Sequence, residues 1–224
     1  MASNPIKPAL FDFFRDLARH NNRQWFEKNR VRYERDVKQP LLAFIDAAAR
    51  PLRSVSPHLQ AGPRSLFRLH RDTRFSKDKS PYKTNAGVHF RHDGGESAHA
   101  LGVYVHFAPG EVFAGGGIWR PDAQALKAIR DRIAENPAQW KRAVGGKAFK
   151  EHCRLEGDAL KRPPRGYDPE HPFIEDIKRK DFFSLTDFTE RQACAPDFID
   201  RVITTTKASS PLLAFLAKAN GLPW

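Results

Sequence analysis

The residues best suited to chemistry lie between Arg68 and Lys83, in the run R-L-H-R-D-T-R-F-S-K-D-K-S-P-Y-K. Six cations (Arg68, Arg71, Arg74, Lys77, Lys79 and Lys83) stand there against two carboxylates (Asp72 and Asp78), a formal excess of four positive charges. Core packing has no use for that density of charge. A guanidinium offers a planar fork of donors that fits a carboxylate or phosphate, and an ammonium adds a mobile point charge. The stretch is therefore expected to be an anion site. Arg68, Arg74, Lys79 and Lys83 form its clamp, Tyr82 orients the ligand, Asp72 fixes the guanidinium rotamers and His70 lies on the same strand face. The competing expectation is a structural network in which Asp72 and Asp78 only neutralise their neighbours.

These side chains need a scaffold. Period-two alternation predicts strands over Leu66–Phe75, Ala86–Arg91, Ala100–Phe107 and Glu111–Trp119, with H-D-G-G-E-S and A-P-G as hairpin loops. With the apolar sets facing the helices, the other face holds Arg68, His70, Asp72, Arg74, His89, Arg91, Tyr104 and His106. Arg71 then falls on the apolar side, where it requires a partner unless a bulge re-aims it. The D-K-S-P-Y-K turn would carry Lys79, Tyr82 and Lys83 over one edge of this platform.

Helices flank the strands. Leu10, Phe13, Phe14 and Leu17 form one apolar stripe, and Asn21 and Asn22 can cap a helix beginning near Arg23. A third helical segment runs from Pro40 and ends before Pro51. Trp25, Phe26 and Tyr33 are expected in the core. Helices return after Pro121, with stops at Asn136 and at Gly145-Gly146. Asp158 to Pro172 is expected as an extended loop, Pro172 to Lys178 as a helical turn or two, and Phe182–Phe188 as a last strand. Pro196–Ala208 and Pro211–Asn220 read as two more helical segments, the second closed by Gly221. The fold class is α+β, a single domain over 1–224. An antiparallel β-meander (65–119) packs between helices at 9–50, helix and loop at 120–180, and the strand and C-terminal helices of 182–221.

The central run, as R-x-x-R-D-x-R-F followed by D-K-x-P-Y-K-T, resembles the signature of domain-of-unknown-function 2461, found in bacteria and some fungi. N-N-R-Q-W-F-x-x-N-R-x-x-Y (Asn21 to Tyr33), G-G-G-I-W-R-P (Gly115 to Pro121) and L-K-R-P-P-R-G-Y-D (Leu160 to Asp168) are similar to the same family. The resemblance implies a compact domain of about this length and brings no activity with it.

Catalytic templates are absent. The sequence has no G-x-S-x-G, no G-x-x-x-x-G-K-[ST], no H-E-x-x-H and no G-x-G-x-x-G after a strand, so no reaction and no cofactor is assigned. Gly115-Gly116-Gly117 is expected as a bulge that could also admit a ligand to backbone N–H groups. His70, His89, His92, His99 and His106 lack the Cys or Glu spacing of a metal centre, and no metal is expected. A His–Asp pair (His70 or His106 with Asp72) could perform acid–base work.

The 224 residues carry a net charge of +12, with two widely spaced cysteines, Cys153 and Cys194. Two isolated thiols indicate a reducing compartment, and no apolar run approaches a membrane span, so a cytoplasmic protein without a membrane partner is expected. The expected partner is a small molecule bearing a phosphate or carboxylate. The alternative is nucleic acid, held by a basic surface along its phosphate backbone.

Overall fold

The structure, a computed structural model, describes residues 4–74, 76–95 and 99–224. The first helix, α1 (Pro8–Arg19), buries Leu10, Phe13, Phe14 and Leu17 completely, as their spacing requires. Asn22 caps α2 (Arg23–Lys28) by accepting the Trp25 N–H. After α3 (Arg30–Tyr33) the chain widens into a π-helical segment (Glu34–Lys38) and continues as α4 (Gln39–Val55). Phe26 is buried, and Trp25 and Tyr33 pack against the core.

Five strands form one antiparallel sheet: β1 (Ala86–Arg91), β2 (Gly102–Ala108), β3 (Glu111–Ile118), β4 (Arg154–Glu156) and β5 (Phe182–Phe188), ordered β1-β2-β3-β5-β4. The fold is α+β, and the meander expectation holds for β1 to β3. β4 was not anticipated; a three-residue edge strand is too short to leave an alternation. Val88, Phe90, Val103, Val105, Phe107, Val112, Ala114, Ile118 and Phe182 make the apolar face. Against the sheet packs α10 (Phe198–Ala219), in contact with β2 and β3, with α1 against β2. The remaining helices are α5 (Ala123–Glu135), α6 (Pro137–Gly145), α7 (Lys147–His152), α8 (Ile174–Ile177) and α9 (Glu190–Ala193).

Three expectations fail here. Residues 66–74, the described part of the expected Leu66–Phe75 strand, do not form a strand. The segment touches β1 through a single bridge, Leu66 to Val88, and a Phe67 N–H to Gly87 C=O bond, then leaves the sheet. It pairs instead with its own return: His70 bridges Tyr82, Lys83 N–H donates to Leu69 C=O, and Arg71 N–H donates to Pro81 C=O. Local hairpin pairing outcompetes the sheet edge, and Pro81 has no N–H with which to lengthen the ladder. Phe75 lies outside the described residues, as do Glu96 and Ser97 of the expected H-D-G-G-E-S loop.

Pro51, expected to follow the end of a helix, and Pro211, expected to begin one, both lie inside helices. Pro51 sits within α4 and Pro211 within α10. In each case apolar residues beyond the proline, Leu52 in α4 and Leu212, Leu213 and Leu216 in α10, are wholly buried. Their burial outweighs one lost backbone bond.

Candidate functional site

The register of the sheet places Gly87, His89 and Arg91 of β1 beside His106, Tyr104 and Gly102 of β2. Those in turn lie beside Phe113, Gly115 and Gly117 of β3, and these beside Asp187, Leu185 and Phe183 of β5. This is the face turned away from α10. The expected bulge at Gly115-Gly116-Gly117 is absent, because all three glycines pair regularly with β2 and β5. Close approach explains them better: a Cβ on Gly115 would lie 1.8 Å from the Ser184 carbonyl oxygen, and Gly117 has φ +151°, which glycine alone adopts readily. With Gly102 beside them, the sheet has a floor without side chains. Over it lies a chamber of about 410 Å³, walled by Phe67, Phe113, Trp119 and Phe183.

Polar residues lining this chamber include His89, Tyr104, His106 and Glu111. His89 is 5% exposed, and its Nδ1 is buried without a hydrogen-bond partner among the described residues. Burial, aided by Arg91, pushes its pKa down to about 4, so the ring is neutral near pH 7. The Tyr104 hydroxyl lies 3.1 Å from His106 Nδ1. Burial drives Tyr104 up to about 12 and His106 downward, so a protonated phenol and a neutral imidazole share this hydrogen bond. His106 stacks on Phe113 at 4.7 Å, and its Nε2 lies 3.9 Å from Glu111.

A second, more polar cavity of about 500 Å³ adjoins the first and shares Phe67 and Tyr104 with it. Its wall includes Arg71, Asp72, Lys83, Thr84 and Asn85. Here the sequence-predicted residues divide. Asp72 and Lys83 line the cavity. Arg68 lies close enough to Lys83 and Asp72 to act on both through its charge. Arg74 and Lys79 are engaged within the loop itself. Arg74 forms a two-point ion pair with Asp72, and Lys79 donates to Thr73 C=O at 2.9 Å. Arg71 is partnered by Asp78, which also accepts from the Ser80 N–H and hydroxyl. These bonds, led by Arg74 for Asp72 and by Ser80 for Asp78, hold both carboxyls down to about 2.

His70 and Tyr82 face the other way. Tyr82 is 3% exposed, stacks on Phe26 at 4.3 Å, and has its backbone gripped by both ends of the Asn21 amide. His70 sits against Phe26 and Tyr82. Tyr82 belongs to the core, and the orienting role expected for it falls to no part of its buried ring. Nor does Asp72 form the expected pair with His70 or His106, since its carboxylate is spent on Arg74.

The cations of the run left without an ion pair or hydrogen bond among the described residues are Arg68, Lys77 and Lys83, and of these Lys83 lines the cavity with Arg68 close beside it. Lys83 has its pKa lowered by burial and then by the Arg68 charge, and its ammonium lies 5.5 Å over the Phe67 ring. Arg91 approaches the same ring at 5.8 Å. Phe67 is thus a wall of both cavities and a platform for two cations. The sequence signal for this site was the alternation that put His89, Tyr104 and His106 on one face. Phe67 gave none, being one of 17 phenylalanines.

Elsewhere, His58, His92 and Asp93 bring three potential metal-binding atoms within 4.8 Å of one another. His92 Nδ1 already accepts from the Gly94 N–H and its Nε2 faces the Pro223 carbonyl at 2.7 Å, so it has no idle nitrogen to offer. Burial raises both Cys153 and Cys194, which keeps the thiols protonated and poor nucleophiles. No described helix is long and apolar enough to cross a membrane.

Neither the curated proteins nor the solved structures include a match to this chain. The family model described as conserved hypothetical protein (DUF2461) matches residues 9–215, a span that holds the hairpin loop, both cavities and the glycine floor. The chain belongs to the DUF2461 family.

Proposed function

We propose that this protein binds a small molecule with an apolar body and a phosphate or carboxylate group. The body occupies the glycine-floored chamber, and the anion lies in the adjoining cavity beside Lys83 and Arg68. One observation carries this reading: the apolar and cationic cavities meet at Phe67 and Tyr104, so one ligand can occupy both. Lys83 supports it further, because an ammonium that is partly buried beside another cation gains most from an anion. The Tyr104–His106 pair stands at the junction, where it can donate a hydrogen bond to the ligand or move a proton on it. Thermal-shift titration with phenyl phosphate, inorganic phosphate and phenol tests the arrangement. Phenyl phosphate should stabilise the protein most, and Lys83→Met should weaken it by roughly tenfold, the loss of one charged hydrogen bond. Equal response to phosphate and phenyl phosphate, or an unchanged Lys83→Met variant, would overturn the reading.

Nucleic acid remains the alternative for so basic a chain. It is less well supported because Arg71, Arg74 and Lys79 already have partners within the loop. Oligonucleotide binding that falls steeply with salt and is lost on replacing Arg68 and Lys83 together would favour it over the small molecule.

A further inference from the structure

We infer that the body of the ligand is a planar heteroaromatic ring, held flat on the glycine floor, covered by Trp119 and read along its edge by His89. The inference rests on the preceding reading of the two cavities and specifies what fills the apolar one.

Flatness comes from the floor. Gly102, Gly115 and Gly117 lie side by side across β2 and β3 and present only backbone, so a ring can lie on the sheet at van der Waals distance. Trp119 supplies the cover. It is 48% exposed, which among the described residues makes it one of two large apolar side chains left so open, and it lines the chamber. The indole is not loose: the Arg120 guanidinium lies 4.6 Å from its centroid and the His99 ring 5.2 Å away. Arg120 itself is held at φ +51°, with its N–H donating to buried Asp181 at 2.7 Å. A non-glycine residue in the left-handed region, fixed by a buried carboxylate, is a costly way to leave a tryptophan exposed. Holding that indole over a flat ligand accounts for it.

His89 distinguishes a heterocycle from a plain aryl ring. Its Nε2 sits 2.7 Å from where a Cβ on Gly102 would be, on the chamber floor, and its Nδ1 is buried with no hydrogen-bond partner among the described residues. A buried ring nitrogen without a partner is expensive. Being neutral, it offers one N–H and one lone pair, which suits the donor and acceptor edge of a heterocycle and gives no advantage to a benzene ring. With the anion at Lys83, the ligand class becomes an anionic heteroaromatic of nucleotide size.

The experiment measures quenching of Trp119 fluorescence by AMP, GMP, CMP, UMP and phenyl phosphate, with Trp119→Phe identifying the responding indole. At least one nucleotide should bind roughly tenfold more tightly than phenyl phosphate, as one added hydrogen bond to His89 predicts. His89→Leu should abolish that preference, so that nucleotide and phenyl phosphate bind the variant equally. Phenyl phosphate binding as well as every nucleotide, or a His89→Leu variant that retains the preference, would overturn this inference and leave the two-cavity reading standing. Absence of all binding, or self-association that shields Trp119 from every probe, would overturn both.

Discussion

The hairpin loop of residues 68–83 and the sheet face beside it solve opposite problems. The loop gathers the densest charge in this part of the chain and then consumes half of its cations: Arg71 on Asp78, Arg74 on Asp72, Lys79 on a backbone carbonyl. The sheet face has little charge, yet holds a buried imidazole whose Nδ1 has no hydrogen-bond partner among the described residues and a half-buried phenol–imidazole pair. Charge density therefore marks where a loop is braced, and missing partners mark where a ligand could be received. Arg68 and Lys83, loop cations without an ion pair among the described residues, stand where the two regions meet.

The contrast can be broken at the sheet first. Gly117→Ala places a Cβ 2.1 Å from the Phe182 carbonyl oxygen at a φ of +151°, and should cost about 3 kcal/mol or more in chemical denaturation. At the base of the loop, Tyr82→Ala removes a buried ring from Phe26 and should cost about 3 kcal/mol. A smaller loss there would mean that the hairpin is anchored by its ion pairs after all.

Acid separates the regions. His89 has its pKa lowered from 6.5 to about 4 in the folded protein, so below pH 6.5 the unfolded chain takes up protons that the folded one refuses. Stability should fall as pH drops from 6.5 to 4, by on the order of 2–3 kcal/mol, with His106 acting in the same direction. His89→Asn should flatten that slope. Asp72 and Asp78 are lowered from 3.8 to about 2, so their contribution is fully present above pH 3.8 and disappears as pH falls toward 2. Urea denaturation followed at several pH values would resolve the two windows. A single continuous slope unaffected by His89→Asn would show that the chamber does not titrate apart from the loop. The smallest effect belongs to Arg74→Ala, which should lower stability only slightly above pH 3.8 because the Arg74–Asp72 pair is solvent-exposed.

How much of this the sequence disclosed depended on the range of the interaction. Local signals carried well: the α1 stripe, the Asn22 cap and β5 at Phe182–Phe188 all lie where spacing put them. Pro51 and Pro211 misled because burial on both sides of a proline is a property of the whole core. Leu66–Phe75 misled because alternation is satisfied equally by a sheet strand and by one arm of a hairpin that pairs with itself. At the site, alternation placed His89, Tyr104 and His106 on one face. That the loop would pair its own arginines and turn Tyr82 toward Phe26 depends on contacts that no periodicity encodes. The glycine triplet was visible, but its meaning required the register of three strands at once.

Gly116, the middle glycine, points to the side opposite the chamber. A Cβ there would meet the Leu213 side chain at 2.9 Å and the Ser209 hydroxyl at 3.1 Å, so α10 rests almost directly on the strand. Between an occupant of the chamber and the longest helix there is thus scarcely more than one thickness of main chain. Any molecule pressing on the sheet from outside would be felt by the segment around Pro211, where the helical ladder already lacks a rung. Slower amide exchange in that segment would then announce occupancy from the far side of the wall.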